Sequence, residues 1–287
     1  MWPGLVVEEN NLQVQVSALR KALGPGAIAT LPGRSYRLTV DCASDGGAPT
    51  TPSSATPPVE DIIGRNDELA ALRACMVTHR IVTVVGAGGI GKTAVARALV
   101  RSSVTSAAGA LAWVDLAALP AGADAAAVAS TVAAAVGAPL SVGDAPVLLA
   151  RALAGSPMLL VLDNAEHVAQ AVATVTVALV EGTTALRLLV TSQVALHVAG
   201  EQVWRLDVLA LPPTDASLES ARAHGAFALF ERRARESDHR FTLGTADVQR
   251  AIALCHALDD NALAIELAAE RAPQLGMGPL LQLGRLE

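Results

Sequence analysis

Residues 81–93 read Ile81-Val82-Thr83-Val84-Val85-Gly86-Ala87-Gly88-Gly89-Ile90-Gly91-Lys92-Thr93. The first five are an apolar, β-branched run, the composition of a buried strand. The last eight fit G-x-x-x-x-G-K-[ST]. Ala94 to Val100 then open a helix. Strand, glycine loop and helix N-terminus together make a phosphate site. Glycines let backbone N–H groups close around an anion, and the helix dipole favours negative charge there. The candidate ligands are the backbones of Gly86, Gly88, Gly89, Ile90 and Gly91, the ammonium of Lys92 for the β/γ-phosphates, and the hydroxyl of Thr93 for Mg²⁺.

Outward from this stretch, strands and helices alternate. Upstream, Ile62-Ile63-Gly64-Arg65 precedes a helical pattern at Leu69, Leu72 and Cys75-Met76. Downstream, Leu111 to Leu116 is a second strand, and low-complexity helices follow near 124–137 and 144–154. Met158-Leu159-Leu160-Val161-Leu162-Asp163 is a third strand, Arg187 to Ser192 a fourth, and Val203-Trp204-Arg205-Leu206 a fifth. This alternation predicts a parallel, doubly wound sheet. An apolar strand that delivers an aspartate is the second half of such a phosphate site, so Asp163 is expected to orient Mg²⁺ or its water. From Ser217 onward the pattern is helical, through 226–230, Val248 to Leu258 and Ala262 to Arg271. The mixed charges at 231–236 read as a solvated helix face.

The chain of 287 residues is long enough for about two domains. Hydrophobic residues make up 52% and aromatics only 2%, which predicts an ample core of small side chains. A net charge of −6 excludes a globally basic nucleic-acid binder, so any DNA affinity must be local. Cys42, Cys75 and Cys255 are scattered, with no C-x-x-C and no zinc spacing, and fit a reducing cytoplasm. His79, His167, His197, His224, His239 and His256 show no ligand spacing either. Met1-Trp2-Pro3-Gly4 has no basic n-region, and Glu8-Glu9 interrupt any apolar run, so no signal peptide is expected. Ala125 to Gly143 is too weakly apolar to span a bilayer, so no membrane partner is expected.

Residues 1–40 form a unit of their own. Asn10-Asn11 can cap a helix running to about Leu23, which Gly24-Pro25-Gly26 ends. Leu12, Val16, Leu19 and Leu23 fall on one narrow stripe, with Val14, Ser17, Ala18 and Lys21 opposite and Arg20 at the flank. Ala27 to Leu31, the Pro32-Gly33 turn and Tyr36 to Val40 predict a β-hairpin. Arg20, Lys21, Arg34 and Arg37 against Glu8 and Glu9 give this unit 4 − 2 = +2. A helix followed by a basic hairpin suits the major groove and the adjacent backbone of DNA. The DNA candidates are Val14, Ser17, Arg20, Lys21 and Arg34. Residues 41–59, rich in Pro, Thr, Ser, Gly and Ala, read as a flexible linker.

Two resemblances follow from these residues. Trp2-Pro3-Gly4, Val7-Glu8-Glu9-Asn10, the helix Leu12 to Leu23 and Pro32-Gly33-Arg34-Ser35-Tyr36-Arg37 resemble the second half of a response-regulator winged-helix domain of the OmpR/PhoB type. The first half of that domain has no counterpart, which implies a chain truncated at its N-terminus. Gly64-Arg65, the loop 86–93, Trp113 to Leu116, Leu160 to Asn164, Val190 to Gln193 and Ala262 to Leu267 resemble the NB-ARC domain of STAND signal-transduction ATPases, over roughly residues 60–287. The resemblance implies a P-loop NTPase sheet domain followed by a helical domain, with nucleotide between them and Gly64-Arg65 on the base side. It also implies a switch that rests with ADP, acts with ATP, can form a homo-oligomer when ATP-bound, and continues beyond this chain into a second winged helix and a repeat array. Three departures stand out. Asn164 replaces a second acid, leaving Glu166 as the nearest candidate base; Gln193 replaces an arginine that senses the γ-phosphate; and Asp260-Asn261-Ala262 replaces Gly-x-Pro before Leu263.

The sequence thus predicts a partial winged helix at 1–40, a linker at 41–59, a nucleotide-binding domain at 60–214 and a helical domain at 215–287. The expected function is an ATP/ADP-switched transcriptional regulator that hydrolyses slowly. The alternatives are a nucleotide-binding scaffold that does not bind DNA, or a P-loop kinase-type enzyme.

Overall fold

The computed structural model describes residues 28–31, 35–38, 62–104, 110–258 and 261–283. The chain divides into two units, residues 1–54 and residues 55–287. In the first, β1 (Ile28–Leu31) and β2 (Ser35–Leu38) pair antiparallel, with Ile28 opposite Leu38 and Leu31 opposite Ser35. This is the expected hairpin. The helix expected up to Leu23, the linker 41–59 and Val14, Ser17, Arg20, Lys21 and Arg34 lie outside the described residues.

Among the described residues the second unit is built on five parallel strands: β3 (Ile81–Val85), β4 (Ala110–Asp115), β5 (Met158–Asp163), β6 (Leu186–Ser192) and β7 (Glu201–Arg205). Their order across the sheet is β4-β5-β6-β3-β7. Successive strand residues alternate between two cores. Leu160, Leu162, Leu188 and Val190 face one; Val161, Leu189, Val82 and Val84 face the other. Both faces are therefore buried, which is why these strands read as continuous apolar runs. One face is covered by α1 (Asn66–Thr78) and α2 (Lys92–Val104). The other carries α3 (Ala125–Ala135), α4 (Ala145–Ala152) and α5 (Ala169–Gly182). Helix α3 starts where the Asp124 side chain accepts a hydrogen bond from Ala127 N.

Among the described residues, five helices follow the sheet: α6 (Leu218–Arg222), α7 (Gly225–Ser237), α8 (Thr245–Ala257), α9 (Ala262–Leu275) and α10 (Met277–Leu283). They share a third core that includes Phe227, Phe230, Ile252 and Ile265. Phe230 meets Phe241 edge to face at 6.5 Å. The charges at 231–236 are not simply a solvated face. The Glu231 side chain is only 7% exposed, held by Arg222 and Arg235. Among the described residues, no helix is long and apolar enough to cross a membrane.

Candidate functional site

The glycine loop leaves the C-terminal end of β3 and feeds directly into α2. Gly89 (φ +76°) and Gly91 (φ +102°) adopt left-handed backbone that other residues resist. The Gly91 carbonyl accepts from Val95 N, which starts the helix. Lys92 curls back over the loop and donates through Nζ to the carbonyls of Gly86 and Ala87, both at 2.9 Å. It is 8% exposed. Burial pushes its ammonium below the ordinary lysine value, while Glu166 and then Asp163 pull it back up.

Asp163 ends β5 and is 1% exposed. Thr93 Oγ1 donates to its Oδ1 at 2.8 Å, and Thr191 Oγ1 donates to the same oxygen at 2.5 Å. Strand β6 lies between β3 and β5, so Thr191 reaches Asp163 from the adjacent strand, whereas Thr93 reaches it over the top of the sheet. Thr191 also accepts from Asn164 N at 3.0 Å. Asn164 takes φ 60° and donates through Nδ2 to Asp115 Oδ1 at 3.1 Å. Where the resembled family has a second acid, this chain thus has an amide tied to the neighbouring strand. One short turn on, Glu166 Oε1 accepts from Gln193 Nε2 at 3.4 Å. Glu166 Oε2 is buried with no hydrogen-bond partner among the described residues.

A cleft of about 590 Å³ opens beside this group, between the sheet and the helices that follow it. Among the described residues its cationic walls are Arg65, Lys92, Arg97, Arg101, Arg232 and Arg233, against two carboxylates, Glu166 and Glu266. That excess of 6 − 2 = 4 positive charges stands out in a chain of net charge −6. Apolar walls come from Ile62, Ile63, Leu209, Leu229 and Leu263. Arg65, 3% exposed, donates to Glu68 Oε2 at 2.7 Å and to the Ile90 carbonyl of the loop at 3.0 Å. Gly64 does not line the cleft; it sits against Gly225 at the start of α7. The helices also touch the loop. Leu263 N donates to the Gly89 carbonyl at 3.0 Å, and Asn261 Nδ2 donates to the Gly88 carbonyl at 2.8 Å.

The structure thus brings Lys92, Thr93, Asp163, Glu166 and Gln193 into one place. Four contributors escaped the reading of the sequence. Thr191 was legible only as the polar end of a strand. Arg97 appeared as an ordinary helix residue. Arg232 and Arg233 stood inside a charge cluster that looked solvated.

This donor set fits a nucleoside phosphate with Mg²⁺: an ammonium, exposed loop amides, and a hydroxyl beside a carboxylate. Sheet, loop and acid together are the fold of the P-loop NTPases. Residues 75–200 match the family model described as AAA domain. The Walker-type ATPase of Pyrococcus abyssi superposes with a TM-score of 0.50 at 14% identity, over 78% of this chain and 71% of that one. Cdc6p of Pyrobaculum aerophilum does so with a TM-score of 0.50 at 16% identity, over 82% of this chain and 66% of that one. The chain therefore has the P-loop NTPase fold, and its residues 75–200 are similar to an AAA domain. It is 34% identical over 210 residues to the Mycobacterium tuberculosis protein named "Putative HTH-type transcriptional regulator Rv0890c", covering 73% of this chain and 22% of that protein. It is 31% identical over 218 residues to "Uncharacterized protein Rv0894" of the same species, covering 74% of this chain and 51% of that protein. This chain thus spans about a fifth of the first relative and half of the second.

Proposed function

We propose that this chain binds ATP and ADP with Mg²⁺ as alternative states of a transcriptional regulator, and that residues 1–40 meet DNA. One observation carries the nucleotide half. Thr93 of the loop and Asp163 of β5 share a hydrogen bond directly beside the parked Lys92. In this reading Lys92 leaves the carbonyls of Gly86 and Ala87 for phosphate oxygens, and the loop amides from Gly88 to Gly91 close around them. Thr93 and Asp163 hold the metal. Mg²⁺, when bound, neutralises charge on the β- and γ-phosphates. Glu166 Oε2, a buried acceptor without a partner among the described residues, takes a proton from the attacking water, and Gln193 orients that carboxylate from Oε1. Gln193 donates hydrogen bonds but carries no charge, so hydrolysis is slow and the nucleotide serves as a state marker. The apolar walls near Ile62 and Ile63, with Arg65, hold the base side.

The DNA half is supported by the +2 charge of residues 1–40, the expected helix with Val14, Ser17 and Lys21 on its outer face and Arg20 at the flank, Arg34 in the wing, and the name of the mycobacterial relative. With so few phosphate contacts, binding is weak and salt-sensitive.

Calorimetry with Mg-ATP and Mg-ADP tests the nucleotide half: Lys92→Ala should abolish or greatly weaken both. Unchanged affinity in that variant sinks the reading. Mobility shifts at low and physiological salt test the other half. No DNA binding at any salt would leave a nucleotide-binding scaffold.

A further inference from the structure

Among the described residues the cleft has six cationic side chains, and all but one have their charge engaged or directed inward. Arg65 holds Glu68 and the Ile90 carbonyl. Arg232 pairs with Glu236, and Arg233 with both Glu236 and Glu266. Lys92 holds two loop carbonyls, and Arg101 has interactions of its own. Arg97 differs. Its guanidinium lies over the Trp113 ring, 5.7 Å from the centroid, and no carboxylate or carbonyl holds it among the described residues. The residue is exposed and lines the cleft.

Its position on α2 makes that availability meaningful. Arg97 stands four residues after Thr93, on the same helix face. Long helical side chains lean back toward the helix N-terminus, here the end that faces the phosphate site. The strand register sets the scale of the offset along the sheet. Trp113 pairs with Val161, and two residues further along Asp115 pairs with Asp163. Two residues of strand are about 6.6 Å, a span that an arginine side chain covers by changing rotamers. A cation–π contact at an exposed site is worth only about 0.5–1 kcal/mol, so leaving Trp113 costs little.

We propose that Arg97 is the residue by which this site tells a nucleoside triphosphate from a diphosphate: it leaves Trp113 and pairs with the terminal phosphate. The proposal rests on the nucleotide reading above. A charge-assisted pair with a γ-phosphate is made only when that phosphate is present. Arg97 therefore adds affinity for ATP and none for ADP. The contact forms in the ground state, so it sharpens discrimination without requiring fast hydrolysis.

The experiment is calorimetry of Mg-ADP and a Mg-bound non-hydrolysable ATP analogue against wild type, Arg97→Ala, Arg97→Lys and Lys92→Ala. Hydrogen bonds to charged groups imply a loss of about 10- to 100-fold in analogue affinity for Arg97→Ala, with ADP affinity within about twofold. Arg97→Lys should recover part of the loss, because a point charge remains without the planar fork. A Trp113→Phe variant keeps an aromatic face and should retain the discrimination, while the fluorescence change on adding analogue to wild type should disappear with it. Equal weakening of both nucleotides by Arg97→Ala, or none, overturns the proposal. If Lys92→Ala then still abolishes binding, the phosphate site itself stands. If Lys92→Ala has no effect on either nucleotide, the site reading and this proposal fall together.

Discussion

Asn261 Nδ2 donates to the Gly88 carbonyl at 2.8 Å while the same side chain's Oδ1 accepts from Leu263 N at 3.1 Å and Ala264 N at 3.3 Å. One amide thus caps helix α9 and fastens that helix to the phosphate loop. The fit is close, since a Cβ on Gly89 would stand 2.5 Å from Asn261 Oδ1.

Two variants separate these jobs. Asn261→Asp keeps the capping oxygen but sets a carboxylate against the Gly88 carbonyl, so the helix stays capped and the loop contact is lost. Asn261→Ala loses both. Thermal unfolding should show about 0.5–2 kcal/mol of destabilisation for the alanine and much less for the aspartate. Both should release ADP faster in a stopped-flow chase. Aspartate releasing ADP at the wild-type rate would show that the Gly88 contact plays no part in retention.

Glu231 offers a test of redundancy. Its side chain, 7% exposed, accepts from Arg222 Nη2 at 2.7 Å and Arg235 Nη2 at 2.6 Å, while each arginine is 47% exposed. Either arginine alone keeps the buried carboxylate paired. Arg222→Ala and Arg235→Ala should each lower the urea midpoint only slightly, as for other pairs reaching the surface. The double variant strands the carboxylate and should cost about 3–5 kcal/mol. Urea titrations of the cycle give the coupling energy. A double variant equal to the sum of the singles would refute the shared-partner account.

Lys92 gives a pH prediction with a definite sign. Burial holds its folded-state value below that of the unfolded chain, about 10.4. In the window between the two values the folded protein binds fewer protons than the unfolded one. Stability of the nucleotide-free protein therefore gains a contribution as pH rises through that window. Phosphate beside the ammonium favours the charged form and should remove this gain. Urea midpoints across the alkaline range, for wild type and Lys92→Met, would show the difference. Identical slopes in the two proteins would rule Lys92 out as its source.

Much of this site was legible because its parts are local. The loop 86–93 and strands β3 and β5 announce themselves in continuous apolar runs punctuated by glycine and aspartate. Strand β7 was legible only from Val203 because it starts with Glu201 and Gln202. There Glu201 is occupied in accepting from Leu196 N and His197 N at 2.9 and 2.7 Å. The order of the strands left no local trace, so neither the placement of β6 beside β5 nor the Thr191–Asp163 bond could be read. Asn261 and Gly88 are 173 residues apart, and only folding makes them neighbours. The cluster at 231–236 looked solvated because alternating charges do not show which of them turns inward.

Gly64 and Gly225 meet backbone to backbone. A Cβ on Gly64 (φ +70°) would stand 2.4 Å from Gly225 Cα, and one on Gly225 would stand 3.1 Å from Gly64 Cα. Gly64→Ala should therefore cost about 2–5 kcal/mol, from left-handed backbone strain and overlap together. A melt within a degree of wild type would contradict that close approach. The contact also has a genetic consequence. An overpacked pair of side chains can be rescued by trimming the partner, but here the partner is already glycine and has nothing to shed. Suppressors of Gly64→Ala should accordingly arise elsewhere in the sheet or helices as general stabilisers, and none should map to position 225.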